Sequence, residues 1–214
     1  MLNTEAVYSK TPNTRESILK SSERLFALKG FESTTVREIA RVSRVNVAMI
    51  YYYFKTKEGL HQEIIEDSFC QLYSSLKEGI DQEKDPEEKV YDIIKVYVDF
   101  LFNHKDIHRI FLKEAVTQSS HVEVIVNKYI SKNFDLVHSI IQEGAEKKIF
   151  RVQDTALSTF SLIGMILYYF TYEPVYTRLV SPEKAKKPIT EYLPDHIYQL
   201  FMHGAKGETV KDIG

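Results

Sequence analysis

The 214 residues suffice for one medium domain or a small domain joined to a larger one, and 43% hydrophobic with 27% charged residues describes a globular chain that buries a core. A lone cysteine, Cys70, excludes an internal disulfide, the polar start MLNTEAVYSKTPNTRES carries no export signal, and the longest apolar run, Phe160 to Phe170, is too short to span about 30 Å of hydrocarbon. The net charge of −2 conceals ten Lys/Arg against five Glu in residues 1–57, so a basic N-terminal piece precedes an acidic remainder; on charge alone this marks either an end that meets a polyanion or a chance clustering on solvated faces.

A cytoplasmic location is therefore expected, with Cys70 packed inside a helix. Apolar residues recur at three and four throughout, and no segment alternates over five residues or more, so the fold class is all-α with about nine helices. The first runs from about Pro12 to Lys29 and stops at Gly30. Thr35, followed by Glu38, matches a capping box that opens a short second helix, Val36 to Val42. Asn46 caps a third, Val47 to Tyr53, because its side-chain carbonyl can accept from amides of the first turn.

A break at Lys55 and Thr56 precedes a long helix with Leu60, Ile64, Ile65, Phe69, Leu72, Leu76 and Ile80 inward. Asp85 with Pro86 opens the next helix, and Ile107 to Ala115 forms a shorter one after a loop at Asn103 to Asp106. His121 to Lys148 is long. Asp154 caps a helix that is apolar nearly all round to Phe170 and is disturbed at Pro174. SPEKAKKP, 181–188, reads as a linker before a last helix, Thr190 to His203, with Pro194 in its first turn and Gly204 at its end.

Two short helices joined by a tight turn and braced by an earlier helix form a helix-turn-helix, whose second helix can enter the major groove. Ile39 and Ala40 face inward, Val45 plugs the turn, and Ile50 with Phe54 holds the recognition helix by its back. That leaves Val47, Ala48, Met49, Tyr51, Tyr52 and Tyr53 to divide the outward faces at 100° per residue.

The segment TTVREIARVSRVNVAMIYYYFKTKEGL, 34–60, resembles the DNA-binding signature of the TetR family of bacterial transcription regulators, and LFALKGFEST, 25–34, is similar to that family's first helix and its aromatic-glycine turn. The likeness implies an N-terminal three-helix DNA-binding domain over 1–57, with its motif at about 35–54, and a helical effector and dimerisation domain over 58–214. It implies phosphate contact by Thr35, a base-edge or phosphate contact by Arg37, groove entry by Val47, Ala48 and Met49, and phosphate contacts by Lys57 and more weakly Lys55.

Tyr51, Tyr52 and Tyr53 would meet the groove edge, its sugar-phosphate wall and phosphate, and Arg44 and Asn46 of the turn belong to the same DNA-contact set. Arg44 departs from the family, which usually has Gly there; the position calls either for a different backbone or for a phosphate ligand that tolerates positive φ at about 1 kcal/mol or more. Val47, Ala48 and Met49 offer no bidentate hydrogen bonds, so readout would come from thymine methyls and DNA shape.

For the second domain the resemblance implies a homodimer and a small-molecule effector; the residues themselves offer no metal motif, and no other cofactor is expected. A helix apolar all round must be covered on every side, which suits a partner chain packing near 154–178 and 190–203. Pocket candidates are Tyr97, Phe100, Phe111, Phe134, Phe160, Tyr168 and Tyr169. His104 and His108 flank Asp106 without making a metal site, the other histidines read as surface or capping residues, and no catalytic motif is present, so an enzyme is not expected. The function expected is a dimeric regulator, a repressor released from a palindromic double-stranded operator by its effector. The alternative is a DNA-organising or division-control protein of the same fold without an effector.

Overall fold

The computed structural model describes residues 14–117, 123, 125–180 and 188–206. Among these are nine α-helices: α1 (Thr14–Lys29), α2 (Val36–Ser43), α3 (Val47–Phe54), α4 (Lys57–Gly79), α5 (Pro86–Asn103), α6 (Lys105–Thr117), α7 (Ser131–Glu146), α8 (Thr155–Leu179) and α9 (Ile189–Lys206). A π-helical turn, Val126–Ile130, leads directly into α7. Pro12, the SPEKAKK linker and His121 lie outside the described residues.

The chain divides into two compact units, Met1–Glu66 and Asp67–Gly214. The division falls later than the 57/58 boundary read from the sequence because the first turns of α4 belong to the N-terminal core. Leu60 and Ile64 are buried, and the ring of His61 packs against Phe26 at 5.2 Å and Phe31 at 4.7 Å. His61 is thus a core residue and not the surface group its scattered position in the sequence implied.

In the first unit α1, α2 and α3 pack on one another around Ile18, Leu25, Phe26, Ile39, Ile50 and Phe54. Burying one such side chain contributes about 1.5–3 kcal/mol. The polar groups drawn in with them are satisfied locally: Ser22 donates to the Ile18 carbonyl at 2.7 Å and Ser43 to that of Ile39 at 2.7 Å.

In the second unit α5 is the central helix, packed against α6, α7, α8 and α9. It opens with a full capping box: the Asp85 side chain accepts from the Glu88 amide, and the Glu88 carboxylate accepts from the Asp85 amide. Lys89, 5% exposed, would be costly to bury alone, and its ammonium meets Glu143 on α7 at 3.1 Å. Glu143 also accepts from Lys147 at 2.7 Å, and these two ammonium partners hold its carboxyl below the usual range.

Several elements differ from the sequence reading. Only His104 interrupts α5 and α6, because its N–H still bonds to the Phe100 carbonyl at 2.9 Å and its ring stacks on Phe100; the loop expected at Asn103 to Asp106 is absent. Cys70 is exposed: buried positions of α4 in this region are Ser68, Leu72 and Leu76, which leave residue 70 on the outer face. The disturbance expected at Pro174 does not break α8, which runs through it to Leu179, and α9 continues past Gly204, expected at its end, to Lys206. A proline removes one N–H and crowds the carbonyl four residues back, yet a helix held by tertiary packing can continue past it.

Candidate nucleic-acid interface

The turn between α1 and α2 begins with Gly30 at φ 87°, a left-handed backbone that glycine adopts without strain. Thr34, buried, donates to the Gly30 carbonyl at 2.8 Å, and Thr35 then caps α2 by accepting from the Glu38 amide at 3.2 Å. The reciprocal half of that capping box is not made; the Glu38 carboxylate pairs with Lys29 instead.

Arg44 closes α2 in the left-handed region at φ 57°, ψ 40°, with its N–H on the Ala40 carbonyl, and Val45 N–H meets the same carbonyl at 3.0 Å. The chain therefore makes at Arg44 the bend for which glycine is the usual residue, and carries an exposed guanidinium through it. Val45 is half-buried. Asn46 caps α3, accepting from the Ala48 amide at 2.9 Å.

On α3, Ile50 and Phe54 are buried, which fixes its rotation and turns Ala48, Tyr51 and Tyr52 outward, while Val47, Met49 and Tyr53 stand half-buried at the flanks. Tyr51 and Tyr52 are 48% and 68% exposed. Tyr53 meets the edge of Tyr52 at 5.1 Å, so the three rings are not equivalent: two project and one braces. Arg37 and Arg41 on α2 are also exposed and, one helical turn apart, add basic charge to the unit.

Lys55, at φ 65°, ends α3 and folds its ammonium back onto the Tyr52 carbonyl at 3.1 Å. Thr56 caps α4, accepting from the Gly59 amide at 2.9 Å, and a Cβ on Gly59 would lie 2.5 Å from the Phe54 carbonyl, so glycine permits the close approach of α4 to the end of α3. Lys57 is half-buried and donates to the Phe31 and Thr34 carbonyls at 3.0 and 3.2 Å, with its ammonium 4.1 Å from the centre of the Phe31 ring. Two of its three N–H groups thus tie α4 to the turn that presents Thr35, a role that the Lys-x-Lys spacing did not reveal.

Residues 18–64 match the family model described as bacterial regulatory proteins, tetR family, and residues 83–171 match the one described as Tetracyclin repressor-like, C-terminal domain. A similar protein, the probable HTH-type transcriptional regulator YttP of Bacillus subtilis (strain 168), is 31% identical over 139 residues, 64% of this chain and 67% of that one. The chain belongs to the TetR family of bacterial transcriptional regulators. It is also similar to the HTH-type transcriptional repressor NicS of Pseudomonas putida, 26% identical over 162 residues, 73% of this chain and 75% of NicS. The fold is that of the solved fatty acid degradation regulator FadR from Bacillus halodurans, at 19% identity and a TM-score of 0.74, covering 93% of this chain and 100% of that one. Regulators of the TetR family bind DNA operators and act as dimers.

The seven pocket aromatics expected in the second unit of this TetR-family chain stand in different surroundings. Tyr97 and Phe100 are buried on α5, and burial raises the Tyr97 hydroxyl well above its ordinary pKa. Phe111 meets the edge of Phe69 at 5.8 Å, and Phe134 stacks on His138 at 5.6 Å. Phe160 is 71% exposed and so lies on the outer face of α8, not in a pocket.

Tyr168 and Tyr169 instead line an open groove of about 890 Å³ between α8 and α9, with Tyr172, Tyr176 and Tyr192. Burial first, and then the hydrogen bond with Tyr176, pushes the Tyr192 hydroxyl up to about 12. His108 is buried and bonded to Thr171 at 3.0 Å, and His138 is bonded to Thr155 at 2.9 Å; among the described residues no cluster of three metal-ligating side chains occurs.

Proposed function

We propose that this TetR-family regulator is a homodimeric repressor that leaves a near-palindromic operator when a small molecule binds its second unit. The observation that carries the reading is α3: capped by Asn46, anchored by Ile50 and Phe54, and presenting Ala48, Tyr51 and Tyr52. Two such helices about 34–36 Å apart read successive major grooves. Arg37 and Arg44 supply phosphate or base-edge contacts, and the apolar Val47, Ala48 and Met49 favour thymine methyls. Repression is supported by the likeness to the HTH-type transcriptional repressor NicS, and release by an effector requires that the effector bind the non-operator state more tightly.

The second copy is supported by α8. By length and hydropathy this helix could cross a membrane, and only 22% of its most apolar stretch is buried within the chain, so most of that stretch is left to be covered. Leu157, Phe160, Tyr168, Tyr172, Val175 and Leu179 are exposed along it at helical spacing, an apolar stripe of the kind that marks an interaction surface. A second α8–α9 pair would cover that face with two-fold symmetry.

Phe160→Asp, at an exposed position, should leave the helical circular dichroism intact and convert a dimer into a monomer in sedimentation at micromolar concentration. A wild-type monomer, or a dimer that tolerates the aspartate, removes the assignment. One or two protected palindromes in a footprint support the repressor reading; many dispersed sites without ligand release support a DNA-organising role instead.

A further inference from the structure

The π-helical turn at the head of α7, Val126–Ile130, carries a feature that the regulator's DNA site does not use. Single π-turns are rare and concentrate at functional positions. Tyr129 lies in this turn, and Asn133 follows it by one turn of helix; they are 5% and 3% exposed. The Tyr129 hydroxyl and the Asn133 side-chain carbonyl Oδ1 have no hydrogen-bond partner among the described residues. Native interiors leave few polar atoms unpaired, and two so close in sequence call for a reason.

The orientation of the Asn133 amide is decided by its neighbours. Its Nδ2 donates to the Tyr129 carbonyl at 3.1 Å and to the Phe69 carbonyl at 3.4 Å. Exchanging N and O would set Oδ1 against two carbonyl oxygens, so the unpaired atom is an acceptor that requires a donor. The Tyr129 ring stacks nearly parallel to Phe69 at 6.5 Å, and Phe111 meets Phe69 edge-on. Aromatic rings thus lie beside one acceptor and one hydroxyl, neither of them charged.

We propose that Tyr129 and Asn133 form the polar end of a ligand site in the second unit, specific for a neutral molecule with a hydrogen-bond donor and acceptor side by side on an apolar body. A primary carboxamide on an aromatic ring is the class that fits. Its N–H donates to Asn133 Oδ1, its carbonyl accepts from the Tyr129 hydroxyl, and its ring joins the Phe69–Phe111 frame. A carboxylate lacks the donor that Asn133 Oδ1 requires. The proposal rests on the reading that the second unit takes an effector, and it assigns that effector's recognition to two residues.

The full chain serves for the test, with benzamide as probe and toluene as its apolar counterpart. Without either compound, Tyr129→Phe should raise the thermal unfolding midpoint by about 2–4 °C, the shift that relieving one unpaired buried group gives in a chain of this size. Benzamide should raise the wild-type midpoint saturably where toluene does not, and should bind Tyr129→Phe and Asn133→Leu at least about tenfold more weakly. A lower midpoint for Tyr129→Phe, equal binding by the variants or no benzamide binding by the wild type overturns the site. Operator release separates the two readings. Benzamide that binds but leaves the operator complex intact upholds the site and removes its coupling to DNA, whereas release by another compound, unaffected in both variants, upholds the repressor and removes the site.

Discussion

Replacing Arg44 tests the backbone and the charge separately. At φ 57° and ψ 40°, a residue with a Cβ carries about 1–2 kcal/mol of strain that glycine avoids. Glycine also gives the unfolded chain about 0.4–1 kcal/mol of additional freedom, which offsets part of the gain. Arg44→Gly should therefore exceed Arg44→Ala in stability by roughly 0.5–1 kcal/mol, or about 1–4 °C in the unfolding midpoint. Both variants lose the same guanidinium. If it neutralises a phosphate, the slope of log affinity against log salt should fall by about 0.9 for each half-site, and so by about 2 for a symmetric dimer on a full operator. Urea unfolding followed by circular dichroism measures the first quantity, and operator titration between 50 and 200 mM salt the second. An alanine variant as stable as the glycine one would refute the strained bend. An unchanged salt slope in both would refute the phosphate contact and leave the arginine at this position without a role.

Lys57→Met should lower the unfolding midpoint and weaken operator binding by a similar factor at every salt concentration, because its ammonium is spent on the Phe31 and Thr34 carbonyls; a slope change as large as that at Arg44 would make it a phosphate ligand after all. Tyr51→Ala, at a half-exposed ring, should cost operator affinity about tenfold or more with little change in stability, and unaltered affinity would show that α3 presents a different face. His108 is held at about 4 by burial first and by Arg109 second, against an ordinary 6.5. Between those values the unfolded chain takes up a proton that the folded one does not, so stability falls as pH drops through that window, by at most about 3 kcal/mol. His108→Gln should flatten urea midpoints measured at pH 7, 5.5 and 4.5, with a residual slope from His104, which burial shifts in the same direction; a slope equal to wild type would refute the assignment.

What could be read from the chain was whatever local chemistry determines. Asn46, Asp85 and Asp154 cap their helices as their residue types demand, and the spacing of Ile39, Ile50 and Phe54 places all three in one core. The left-handed bend at Arg44 was visible as one of two possibilities, because a departure from glycine marks either a changed backbone or a tolerated strain. Interactions between distant segments were not visible. Periodicity says that Phe160 lies on an apolar helix, but only the packing of α5, α6, α7 and α9 against α8 shows that its side is the uncovered one. Pro174 reads as a disturbance of its helix because a proline's intrinsic penalty is large, yet α8 continues through it to Leu179. The carbonyl brace at Lys57 depends on how the turn after Gly30 folds, which no spacing rule encodes.

The Lys89–Glu143 pair has an evolutionary consequence. Losing Glu143 first would strand an ammonium that is 5% exposed, and losing Lys89 first would leave a half-buried carboxylate with Lys147 alone. Either single step passes through a weakened protein, whereas replacing both with apolar residues of similar volume need not. Positions 89 and 143, 54 residues apart in sequence, are therefore expected to change together in descendants of this chain, so that joint variation at these sites would record the packing of α5 against α7.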